Sequence, residues 1–186
     1  MFTFPKIHHF PPFYTQQQNA TVLENQLNEW CSLLLSYCQH YLVYVLLPQG
    51  AIMAQGSEET APPLFENKAL DRSAPPHFRR AIVSHLIHKL GRGVYVDPKH
   101  PDAGVLVFWR TPDEWARMLC DAADRMGHVG SVLTVYELIL LDDAADDSFR
   151  NLDYHMLARA VDVLVKQGRA QVFRSDDGRI EGIKIV

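Results

Sequence analysis

The chain has 186 residues, 47% of them hydrophobic and 22% charged, with a formal net charge of -4. That length suits one large domain or two small ones, and that composition supports a packed core and excludes a wholly disordered chain. No apolar run approaches the ~18 residues of a membrane span, and Pro5, His8 and His9 interrupt the N-terminus where a secretory signal would need a continuous apolar core.

Residues 1–20 are rich in Pro, aromatics, Gln and His and show no period, which predicts an extended arm. Thr21 with Glu24 has the spacing of a capping box, and Leu23, Leu27, Trp30, Leu34, Cys38 and Tyr41 then recur every three or four residues as one helical face. Leu42 to Leu47 predicts a short strand stopped by Pro48. Residues 51–63 predict a loop. Ser73 precedes Pro75-Pro76 as a candidate cap, and Phe78, Ile82, Leu86 and Leu90 form a second stripe that Gly91 ends. Val94 to Val96 and Val105 to Trp109 predict a hairpin whose long turn, Asp97 to Gly104, forms a wing.

The order then restarts. Thr111-Pro112-Asp113-Glu114 opens a helix with the stripe Trp115, Leu119, Ala122 and Met126, stopped by Gly127. Ser131 to Leu133 is extended, and Thr134 with Glu137 caps a short helix running through Leu141. An acidic loop carries Asp142, Asp143, Asp146 and Asp147. Asp153 caps the last helix, with Leu152 and Leu157 as a staple and Leu157, Ala160, Val161, Leu164 and Val165 as its buried face. Residues 171–173 and 180–186 close a final hairpin. Two echoes mark a duplication: Glu29-Trp30 with Leu34 returns as Glu114-Trp115 with Leu119, and Lys89-x-Gly91-Arg92 returns as Lys166-x-Gly168-Arg169. Each unit is expected to run helix, short strand, helix, helix, hairpin, which is the winged-helix order. The expectation is an α+β chain of two tandem winged-helix domains, residues 21–110 and 111–186, preceded by an extended Pro/aromatic arm at 1–20.

Winged helices often read DNA, and charge argues against it here. Residues 1–110 hold 9 Lys+Arg against 8 Asp+Glu, and residues 111–186 hold 9 against 14. Phosphate contacts need clustered basic side chains, so no specific nucleic-acid partner is expected. Cys31, Cys38 and Cys120 are scattered and odd in number, as in a reduced cytoplasmic protein. His85 and His88 lack the second pair that a zinc site needs, and the nine histidines are read as exposed polar groups. The Asp142 to Asp147 run lacks the glycine and terminal glutamate of a calcium loop. No nucleophile elbow, phosphate loop or dinucleotide fingerprint occurs. No catalytic residue, metal or cofactor is expected, and without a polybasic stretch no direct membrane insertion is expected either.

Phe10-Pro11-Pro12-Phe13-Tyr14 is the most unusual local feature. Prolines preset an extended backbone, and the aromatics supply contact area. Three readings stand side by side: a Pro-Pro-x-Tyr ligand for a WW domain, a permanent plug into a partner subunit, or a segment folded onto its own domain.

Phe10 to Thr15, Trp30-Cys31-Ser32 with Tyr37-Cys38, Pro63-Leu64-Phe65, Trp109-Arg110, Glu114-Trp115, Val132 to Leu138, and the ending Ile183 to Val186 run in order along nearly the whole chain. On these residues it resembles the small-subunit family of the endosomal ESCRT-II complex. It implies a non-catalytic subunit, two copies per complex, that serves multivesicular-body sorting of ubiquitinated membrane cargo. Phe10, Pro11, Pro12, Phe13, Tyr14 and, by position, Arg72 would dock to the two larger subunits. The second domain would bind the N-terminal helix of an ESCRT-III subunit, with Val132, Leu133 and Tyr136 as candidate contacts. The protein would be cytoplasmic and recruited to the endosomal membrane.

Overall fold

The computed structural model describes residues 2–47, 52–54, 61–139, 149 and 152–186. The acidic loop Asp142 to Asp147 and the end of the short helix at Leu141 lie outside the described residues. The chain divides into two compact units of mixed helix and strand, Met1–Trp109 and Arg110–Val186.

The first unit begins with two 3-10 turns, Lys6–His9 and Pro11–Tyr14, joined by extended residues. Helix α1, Ala20–His40, is capped by Asn19, whose side chain accepts from the amides of Thr21 and Val22. Thr21 is therefore inside the helix and not its cap, because Asn19, two residues earlier, supplies the side-chain acceptor for the first free amides. Trp30, Leu34 and Cys38 are fully buried along its inner face. Strand β1, Val43–Leu46, pairs antiparallel with β2, Ile52–Ala54, so part of the expected loop is a strand. A two-residue ribbon follows, β3 Glu66–Asn67 with β4 Arg72–Ser73.

Helix α2, Pro76–Ser84, starts at a proline and is capped by no side chain at Pro75, so Ser73 does not cap it. It continues as a π-turn, His85–Lys89, and Gly91 at φ 62 ends it. Strands β5, Gly93–Tyr95, and β6, Val105–Val107, form the hairpin and complete a sheet of order β2-β1-β6-β5. The hairpin turn closes at Gly104, whose φ of 114 only glycine adopts readily. Among the described residues this unit has two α-helices, one fewer than the helix, strand, helix, helix, hairpin order expected of each unit.

The second unit follows its predicted order closely. Helix α3, Pro112–Arg125, has a complete Thr111–Glu114 capping box. Strand β7, Val132–Thr134, leads into α4, Val135–Ile139, where Thr134 and Glu137 exchange the same reciprocal bonds. Helix α5, Tyr154–Lys166, is capped by Asp153. Strands β8, Ala170–Arg174, and β9, Ile180–Ile185, finish a sheet of order β7-β9-β8. Helix, strand, helix, helix, hairpin is the winged-helix sequence of elements. The repeated residues occupy matching places: Trp30 and Trp115 are both fully buried, and Gly91 and Gly168 both take left-handed conformations at helix ends. Leu90, Met126 and Val165, expected on buried stripes, are each more than 40% exposed at the C-terminal ends of their helices.

Candidate docking sites

The Pro/aromatic segment is folded onto the first unit. Phe13 stacks on Trp30 with ring centroids 4.2 Å apart and planes 4° from parallel. Tyr14 meets Trp30 edge-on at 5.6 Å. Phe65 and Phe78 contact other sides of the same indole, so the segment completes an aromatic core around Trp30. Aromatic pairs of this kind each add about 0.5–1.5 kcal/mol beyond area burial.

Polar contacts fix the segment further. Tyr14 Oη donates to the His8 carbonyl at 3.0 Å, and burial pushes its phenol pKa up to about 12. Trp30 Nε1 donates to the Phe13 carbonyl at 3.0 Å. Asn67 of β3 donates from Nδ2 to the His8 carbonyl at 2.9 Å, and its Oδ1 accepts from the amides of Ala69 and Leu70. The His8 ring stacks on Phe4 at 4.0 Å and lies 3.2 Å through Nδ1 from Asn67 Nδ2. Burial, and then the neighbouring His9, lower its pKa to about 4. His8 and His85 are thus buried, and His85 Nε2 lies 2.8 Å from Asn28 Oδ1. For these two the reading of exposed histidines does not hold.

The six sequence-predicted docking residues consequently separate. Phe13 and Tyr14 are each 2% exposed and belong to the core, and they do not extend into solvent as an arm would. Phe10 is 57% exposed, and Pro11 and Pro12 are exposed beside it. Arg72 is exposed on β4, which runs beside the Pro11–Tyr14 turn. The structure therefore brings β4, which carries Arg72, beside the turn that carries Pro11 and Pro12, with Phe10 immediately before that turn.

On the second unit, the residues proposed for an ESCRT-III helix also separate. Leu133 is buried and pairs with Ile183 on the inner sheet face. Val132 and Tyr136 are 56% and 72% exposed. Val132 shares the outer face with Phe173, itself 49% exposed, and Gly182 lies between them. A Cβ on Gly182 would stand 3.2 Å from Val132 Cγ1 and 3.6 Å from Phe173 Cδ2, so both side chains close over the glycine. Phe173 was missed by sequence reading, because a single apolar residue in a terminal strand carries no face assignment until register is known. The charged residue in the row with Val132 is Lys184, so the acidity of this half is not concentrated here.

Among the described residues, no group of three or more His, Cys, Asp or Glu side chains could hold a metal ion. No described helix is long and apolar enough to cross a membrane.

The model of the ESCRT-II complex subunit family matches residues 7–153. Vacuolar protein-sorting-associated protein 25 of Danio rerio is 34% identical over 183 residues, covering 98% of both chains. Its Homo sapiens counterpart is 33% identical over the same length, with 98% of this chain and 97% of that one covered. The crystal structure of subunit VPS25 of the endosomal trafficking complex ESCRT-II superposes with a TM-score of 0.85 at 22% identity, over 98% of this chain and all of that one. The VPS25-containing crystal structure of the endosomal complex ESCRT-II (VPS22/VPS25/VPS36) gives 0.80 at 20% identity, over 97% of this chain and 99% of that one.

Proposed function

The chain belongs to the ESCRT-II complex subunit family, and from that membership we propose that it is a non-catalytic subunit of ESCRT-II in multivesicular-body sorting of ubiquitinated cargo. Its first domain docks to the two larger subunits, the partners named for a related complex, with two copies of the chain per assembly. Its second domain, residues 111–186, recruits and nucleates ESCRT-III, and the protein moves from cytoplasm to the endosomal membrane with its complex.

The carrying observation is the exposed edge formed by Phe10, Pro11 and Pro12 beside Arg72. A large exposed aromatic flanked by rigid prolines is the kind of anchor that dominates interface energies, and Arg72 supplies a charged rim. Removing residues 1–15 would also strip Phe13 from Trp30, so a deletion confuses docking with folding. Phe10→Asp and Arg72→Asp avoid this. Each should abolish or sharply reduce co-purification with the larger subunits while the melting temperature stays within a few degrees. Full recovery of the complex with both variants would overturn the docking assignment.

Val132 and Phe173 support the ESCRT-III reading as one exposed apolar sheet face, with Tyr136 exposed on α4, whereas Leu133 supports it only through packing. Phe173→Asp should weaken binding to the N-terminal helix of the ESCRT-III subunit by at least about tenfold, about 1.4 kcal/mol. Unchanged affinity would remove this face from the proposal.

A further inference from the structure

We propose that Gln26 is a clamp that holds the Pro-Pro-Phe-Tyr motif in a turn and closes it to WW-type, polyproline recognition. The inference does not depend on which partner the exposed edge docks to.

The motif's backbone has the wrong form for a polyproline ligand. Residues Pro11–Tyr14 are a 3-10 turn, with the Phe13 amide bonded to the Phe10 carbonyl at 2.9 Å and the Thr15 amide to the Pro12 carbonyl at 3.1 Å. Polyproline II has no internal hydrogen bonds and leaves its carbonyls free for a receptor. Here those carbonyls are occupied. Gln26 Nε2 reaches the oxygens of Pro12, Phe13 and Thr15 at 3.2, 3.0 and 2.9 Å. Gln26 Oε1 accepts from the Gln17 amide at 3.2 Å, so one side chain ties the motif and its C-terminal flank to α1. Gln26 is 7% exposed, and an amide that buries itself so completely must satisfy its hydrogen bonds locally. The tyrosine that a WW domain would need is 2% exposed with its hydroxyl committed to His8.

The turn is not what the bare sequence prefers. Pro11 precedes a proline, which disfavours the helical region, and a Pro-Pro pair in isolation relaxes toward polyproline II. A synthetic peptide of residues 6–18 should therefore present the motif, and the full chain should not. The full chain's affinity is the peptide's multiplied by the small fraction of time the clamp is open.

The test uses an isolated WW domain that binds the peptide of residues 6–18. Wild-type full chain should bind it at least about tenfold more weakly than the peptide does. Equal affinity for chain and peptide would overturn the proposal without any variant. Gln26→Glu keeps the shape but sets a carboxylate against three carbonyls. It should recover WW binding by several-fold and speed amide exchange at Phe13, Thr15 and Gln17. Unchanged exchange at those amides in a folded Gln26→Glu chain would assign the closure to the aromatic core alone and remove Gln26 from it.

Discussion

Phe10 and Phe13 stand three residues apart, and their side chains have opposite fates. Phe13 lies flat on Trp30 in the core, whereas Phe10 projects outward. Phe13→Ala should cost about 3–5 kcal/mol of stability in the first unit, as truncating a fully packed aromatic does. Phe10→Ala should fall within about 0.5 kcal/mol of wild type. Urea unfolding followed by Trp fluorescence reads both, and equal effects would contradict the split. His8 adds a pH term. Its pKa drops from 6.5 to about 4 on folding, chiefly because burial disfavours the imidazolium. Between those values the unfolded chain binds more protons, so stability rises with pH and is lost as pH falls from about 6.5 toward 4. Each pH unit in that window costs up to about 1.4 kcal/mol. His8→Phe removes the titration and should flatten the slope relative to wild type. Parallel curves would show that other groups set the acid sensitivity.

The elements differ in how openly the sequence declares them. Thr111 and Glu114 define a helix start by local chemistry alone, and both halves of the box form. Thr111→Ala should cost about 1 kcal/mol, measurable as a lowered urea midpoint at unchanged slope. Gly104 is a stronger constraint. With φ at 114, an added Cβ would lie 2.9 Å from Val45 Cγ1 and 3.2 Å from the Leu46 carbonyl. Gly104→Ala should destabilise the first unit by about 1–3 kcal/mol, and a neutral substitution would contradict the tight approach of the wing to β1. Caps, stripes and stops such as these made the order of elements in the second unit legible, apart from Met126 and Val165, which the stripes had placed inside. The β3–β4 ribbon was not, because two-residue strands have no period to detect. The arm misled for a related reason. Prolines and aromatics without a period look unstructured until Trp30 and Gln26 supply partners from another element. At the site, the residue types were legible but not their direction: alternation along β7 turns Leu133 inward and Val132 outward, while Tyr136 is exposed on α4.

At the scale of the molecule, the two units are built differently. The buried His, Asn and Gln side chains among the described residues are His8, Gln26, Asn67 and His85, all in the first unit. Three of them fasten the N-terminal segment, and the fourth joins α2 to α1 through Asn28. Such contacts contribute little net stability compared with apolar packing, yet they specify one arrangement of a segment that would otherwise relax. Among the described residues, the second unit has no buried His, Asn or Gln side chain. Trp115, Leu119, Leu138, Leu157, Val161, Leu164 and Ile183 are each 1% exposed or less and close its core from its own elements. Residues 110–186 expressed alone should therefore fold, with one cooperative thermal transition by circular dichroism. Because the Val132–Phe173 face is complete within that unit, the fragment should also bind an ESCRT-III N-terminal helix within about twofold of the full chain. An unfolded fragment would show that its core needs the first unit. A folded fragment that binds much more weakly would place part of the recruiting surface in residues 1–109.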